Sequence, residues 1–130
     1  MPRKLLQAIL LINIILLWSC ANSPLDESDD NQKYIGTWNV SDQAARINYQ
    51  VTIIANPSNS SEILLNNFAD LGSTAIGLVI GNSVVIDNQS LGSAYSVSGS
   101  GSYINVDKLE FKFDLNDGID IQSRIALFTK

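Results

Sequence analysis

The chain has 130 residues, a formal net charge of −5, 45% hydrophobic residues, one cysteine and no histidine. An acidic balance excludes nucleic acid as a partner and leaves no basic patch to hold an anionic membrane surface. The absence of histidine removes the commonest general base and the commonest zinc ligand, and a lone thiol permits no internal disulfide, so stability has to come from packing.

Arg3 and Lys4 precede a stretch from Leu5 to Trp18 that is apolar apart from Gln7 and Asn13. This is the layout of a secretory signal, with a charged start and a short apolar run, and it falls below the ~20 apolar residues that span a bilayer. The run ends in Leu17-Trp18-Ser19-Cys20, which resembles the lipobox of bacterial lipoproteins. The resemblance implies cleavage after residue 19, lipid attachment at Cys20 and a membrane partner held through that lipid. The alternative is an ordinary signal segment with an incidental cysteine. Cleavage removes Arg3 and Lys4 and no acid, leaving six basic residues against thirteen acidic ones, a charge near −7.

Residues 20–33 form the lipidated cysteine and an acidic tether, because one sizeable aliphatic residue among four carboxylates cannot offset the entropy of ordering. Its run Asp26-Glu27-Ser28-Asp29-Asp30 resembles the export signal that sends some Gram-negative lipoproteins to the cell surface. A solvated linker is the plainer alternative.

From residue 34 to 130 short alternating segments are divided by Gly, Asn, Ser and Asp, with no sustained helical period, which predicts a single all-β domain. Candidate strands are Tyr34 to Ser41, Arg46 to Ala55 and Glu62 to Phe68, with Asn56-Pro57-Ser58-Asn59-Ser60-Ser61 as a loop after the second. Ala75 to Ile80 and Ser83 to Asp87 flank Gly81-Asn82, a pair suited to a type II′ hairpin. Ala94 to Ser98 and Ser102 to Val106 follow. Leu109 to Leu115 alternates strictly, with Leu109, Phe111, Phe113 and Leu115 on one face and Glu110, Lys112 and Asp114 on the other. It is joined through Asn116-Asp117-Gly118 to a second alternating run, Ile119 to Ile125, as a hairpin. About eight short strands fit an antiparallel meander rolled into a barrel or sandwich.

Tyr34-Ile35-Gly36-Thr37-Trp38 resembles the Gly-x-Trp opening of lipocalin-like barrels. Asn67-Phe68, Gly81-Asn82 with Val84-Val85-Ile86, Gln89, and Ser98-Gly99-Ser100-Gly101 extend the similarity to small lipocalin-like (calycin-like) lipoproteins of Gram-negative bacteria. The resemblance implies a small barrel with Trp38 as the plug of its closed end. It also implies a late cation over the indole, for which Arg124 is the candidate. Either residue could instead face a ligand. The chain is shorter than a full lipocalin, and inward side chains such as Trp38, Tyr49, Phe111 and Phe113 would fill a small barrel; an open cavity is the alternative.

Other constellations are weaker. Asp114, Asp117 and Asp120 invite a calcium reading, but Gly118 falls one place early for an EF-hand loop and no glutamate closes it, so turn chemistry is expected and no metal. Ser98-Gly99-Ser100-Gly101 lacks the helix and cation of a phosphate cradle, and a bend or bulge is expected there. Glu62 and Glu110 are the only glutamates of the domain, and Glu110 alternates onto the water-facing side. No serine has a recognisable base. These readings predict a non-enzymatic lipoprotein without cofactor, in the cell envelope and anchored to the outer membrane on its periplasmic face or at the surface. Its barrel would bind or display, with a hydrophobic ligand or an envelope or host protein as partner. The rivals are a carrier of a hydrophobic small molecule and a purely structural or adhesive surface protein.

Overall fold

Alternating side chains put one face of a strand against a core and the other in water, and eight such strands here close on themselves. The computed structural model describes residues 31–130; the expected signal segment, Cys20 and the tether as far as residue 30 lie outside the described residues. The strands are β1 (Gly36–Asp42), β2 (Ile47–Ala55), β3 (Glu62–Asn66), β4 (Thr74–Ile80), β5 (Ser83–Leu91), β6 (Tyr95–Asn105), β7 (Lys108–Asn116) and β8 (Ile121–Thr129). Each pairs antiparallel with the next, and β8 returns to β1 with Val40 opposite Phe128, so the meander closes into a barrel. The expected all-β meander barrel of about eight strands is the fold observed.

The inward faces meet as rings. Phe111 lies 4.7 Å from Phe128, while Phe68 lies 4.7 Å from Phe113 and 5.9 Å from Phe111, centroid to centroid. Trp38, Phe111 and Phe113 are buried as a filled interior requires, whereas Tyr49 is only half-buried. With an apolar interior and charged residues such as Glu110 and Lys112 on its outer face, the barrel inverts the polarity of one that spans a membrane. Among the described residues no helix is long and apolar enough to cross one.

The strands depart from expectation in four places. Order begins before residue 34: Asn31 is almost buried and Gln32–Tyr34 form a 3₁₀ turn. The expected third strand ends at Asn66, because Asn67 takes left-handed backbone angles and swings Phe68 into the core. The hairpin loop after β7 runs to Asp120, where Asp117 Oδ1 accepts the N–H groups of Ile119 and Asp120 at 2.8 and 2.7 Å.

The fourth departure is that the two short strands expected before and after Ser98-Gly99-Ser100-Gly101 are one. β6 runs through this segment as one strand, in unbroken register with β7 from Ser96 to Tyr103. A bulge does accompany the segment, on the side of β5: Ile86 pairs with Gly99 and Gln89 with Val97, so that Asp87 and Asn88 face Ser98; a second irregularity lies between Tyr103 and Asn105 in β6. The glycines are there for close approach. A Cβ on Gly101 would lie 2.3 Å from the Phe111 ring, and one on Gly99 would lie 2.3 Å from the Lys112 carbonyl oxygen and 2.6 Å from the Phe113 Cα. Because the atoms facing Gly99 are backbone, no rotamer change relieves the clash. Gly99→Ala is therefore expected to cost at least ~3 kcal/mol, the upper end for overpacking. Gly77→Ala meets side chains alone, a Val84 methyl at 2.5 Å and Leu65 and Ile63 at 3.4 and 3.5 Å, and should cost less. Urea unfolding of the two variants checks the order.

Candidate functional site

The meander gives the barrel two ends of different character. At the end where β1 begins, Trp38 is fully buried and its Nε1 donates to the Tyr34 carbonyl oxygen at 2.9 Å. The Tyr34 hydroxyl donates to the Gly81 carbonyl oxygen at 3.1 Å, which ties the incoming chain to the β4–β5 turn. Lys130 Nζ stands 4.3 Å from the centre of the Trp38 ring and donates to the Ile35 carbonyl oxygen at 3.1 Å. Gly36 leaves space for this ammonium: its φ is +134°, and a Cβ would lie 2.8 Å from Lys130 Nζ. Trp38 thus occupies the plug position, but the cation over it is Lys130 and not Arg124. The reason is register. Phe128 lies opposite Val40, so the chain end, not the middle of β8, reaches the indole.

Arg124 belongs to the other end, the mouth. It sits opposite Phe113 and shares the inward face with Ala126 and Phe128, while Ile121 and Ile125 point outward. Its Nη1 lies 3.2 Å from Asp42 Oδ2; the two side chains are 13% and 0% exposed. Nη2 donates to Gln122 Oε1 at 2.8 Å, and Asp42 Oδ1 accepts the Ala45 N–H at 3.1 Å. Neither partner is left with an idle charge.

Tyr49 stands near this pair. Burial raises its phenol above the ordinary value of 10.0; Asp42 adds to the rise and Arg124 opposes it. A raised folded-state value means the unfolded chain releases this proton first. The stabilisation is complete below about pH 10 and fades as pH climbs beyond it toward the folded-state value. Absorbance titration at the phenolate band is expected to show Tyr49 ionising after the other tyrosines, as the barrel opens; early ionisation in the folded protein would contradict it.

The β3–β4 connection covers the mouth. Asn67, Ala69 and Asp70 all adopt left-handed angles, φ +67°, +58° and +61°, which side-chain-bearing residues rarely take. Asn67 holds the loop: its Nδ2 donates to the Gln50 carbonyl oxygen and its Oδ1 accepts from Gly72 N–H, both at 2.9 Å. Phe68 is thereby pushed down the axis as a stopper.

The remaining polar candidates are engaged locally. Asp114 Oδ1 accepts from Ser123 Oγ at 2.7 Å, and backbone hydrogen bonds to Asp117 hold its carboxylate below its usual range. Glu62 Oε1 accepts from Asn56 Nδ2 at 3.1 Å, and Glu110 faces Lys112 at 3.8 Å on the outer surface. No three His, Cys, Asp or Glu side chains gather to hold a metal among the described residues. Cys20 lies outside them. Sequence reasoning missed Asp42, Lys130 and Phe68. Only Asn67-Phe68 left a trace, as part of the family resemblance.

Chemically, the mouth offers hydrogen-bonding groups, Gln122 and the Tyr49 hydroxyl, around a charge pair that neutralises itself. No protein-family model and no curated protein sequence matches this chain. Among solved structures, EF1p2_mFAP2b bound to DFHBI is similar, with a TM-score of 0.51 and 14% identity over 81% of this chain and 99% of that one. At that identity the likeness shows the fold alone, a closed antiparallel barrel of eight strands.

Proposed function

We propose that the protein is a lipid-anchored lipoprotein of the cell envelope, attached through Cys20 to the outer membrane, whose barrel is a non-catalytic module for binding or display. The observation that carries the non-catalytic part is the mouth, where Asp42 and Arg124 are spent on each other and on Ala45 and Gln122. A base needs a free lone pair at the working pH and a nucleophile within reach. The ring column of Phe68, Phe111, Phe113 and Phe128 favours loops and outer surfaces over an interior chamber as the working part. The envelope assignment rests on the sequence before residue 21.

A second reading, a carrier of a hydrophobic small molecule, is favoured by two observations. A similar barrel is known with DFHBI bound, and Phe68 is delivered by a loop whose left-handed residues store strain. Radiolabelled palmitate fed to growing cells should enter the wild-type chain and not Cys20→Ser; no label in either would refute the anchor. Native mass spectrometry of the protein released from membranes separates the two readings of the barrel. A stoichiometric apolar ligand favours the carrier, and its absence favours display.

A further inference from the structure

β7 presents Glu110, Lys112 and Asp114 to water, and the exposed isoleucines of β8 stand against polar neighbours, Ile121 opposite Asn116 and Ile125 opposite Lys112. The outer faces of β2 to β5 differ. Ile54 stands opposite Leu64, which stands opposite Ile76; one step along, Leu78 stands opposite Val85, and Ile80 extends the same face. Ile54, Ile76 and Ile80 are 40%, 42% and 61% exposed. Two carboxylates stand on this face: Glu62, opposite Leu78 and held by Asn56, and the exposed Asp87 of β5. Scattered surface aliphatics need no explanation, but a patch whose members pair directly across four strands marks a contact surface.

The place where the chain joins the barrel indicates what covers it. Asn31 is almost buried, and its Nδ2 donates to the Ser60 carbonyl oxygen at 2.5 Å. Ser60 lies in the β2–β3 connection, at the rim of this face. Ten residues, 21 to 30, separate Asn31 from Cys20, so the two are never more than ~40 Å apart. Of the acidic residues of the connections, Asp70, Asp117 and Asp120 are at the opposite end and Asp107 is at this one.

We propose that the β2–β5 face is where the barrel rests on the bilayer that holds its lipid. The inference rests on acylation of Cys20 as proposed above. The partner is the boundary between headgroups and acyl chains. The aliphatic side chains of the face enter this boundary, whose headgroup layer keeps Glu62 and Asp87 hydrated, and the acidic mouth is left in water, free for a partner. A short tether makes this contact intramolecular, at an effective concentration near the millimolar range, so a patch too weak to hold a free protein on a membrane suffices once the lipid is in place.

The test uses the full-chain lipoprotein in phosphatidylcholine vesicles, with acylation first verified by mass spectrometry. An environment-sensitive fluorophore is attached at Ile76→Cys, at Ile80→Cys, or at Lys112→Cys on the far side, with circular dichroism to check folding. The labels at 76 and 80 are expected to shift to the blue and resist aqueous iodide several-fold better than the label at 112. Acylated protein that floats with the vesicles yet is quenched equally at all three positions overturns the docking face and leaves the anchor standing. An unmodified Cys20 and no flotation overturn the anchor, and the inference with it. Protection seen in vesicle-free detergent solution and lost on dilution assigns the face to a second copy of the chain and overturns the bilayer as its partner.

Discussion

Replacing Trp38 with alanine is expected to lower the unfolding free energy by about 3–5 kcal/mol, the range for deleting a large aromatic from a core. Three features put the site in that range. The indole is completely buried, it is carried by β1 opposite Val51 of β2, and its N–H donates to the Tyr34 carbonyl oxygen. Alanine leaves a void under Lys130 and removes the donor that fixes the 3₁₀ turn Gln32–Tyr34 over the end of the barrel.

The size of the effect separates plug from binding residue. At roughly 4–8 °C per kcal/mol for a domain of this size, the melting temperature should fall by well over 10 °C, and the urea midpoint should fall with little change in slope. A loss below about 1 kcal/mol would place Trp38 at a surface with little packing behind it. Lys130→Met is the control for the cation. An ammonium over an indole contributes on the order of 0.5–1 kcal/mol at an exposed site, so this variant should lose far less than Trp38→Ala.

These residues also show where sequence reading reaches its limit. β7 was legible because its alternation is strict and its partners are neighbours in the chain: Leu109, Phe111, Phe113 and Leu115 are all buried. β8 alternates just as clearly, yet its isoleucines face water and Arg124 faces inward. That choice depends on Asp42, 82 residues away. Lys130 reaches Ile35 across 95 residues, a closure contact with no local signature. Phe68 continues the apolar pattern of β3 and reads as strand; the left-handed turn at Asn67, a residue type that tolerates such angles, takes it out of the sheet. What could be read was local alternation and turn chemistry. What could not be read was produced by closing the barrel, which decides which charged side chains end up inside.

The second large effect is expected at that inward charge. Arg124→Met should cost about 3–5 kcal/mol, because removing one partner of a buried pair strands the other. The two partners are not equivalent. Asp42 has a fully buried side chain, whereas Arg124 keeps some exposure and a second acceptor in Gln122. Asp42→Asn retains an oxygen for the Ala45 N–H and leaves a cation that can turn toward water, so it should cost less than Arg124→Met. Asp42→Leu combined with Arg124→Met should recover much of the loss, since apolar replacement of a buried pair is often neutral. Urea unfolding of the single and double variants measures the coupling. If Arg124→Met loses less than about 1 kcal/mol, the pair is screened like a surface bridge, and its charges would be available to a ligand at the mouth.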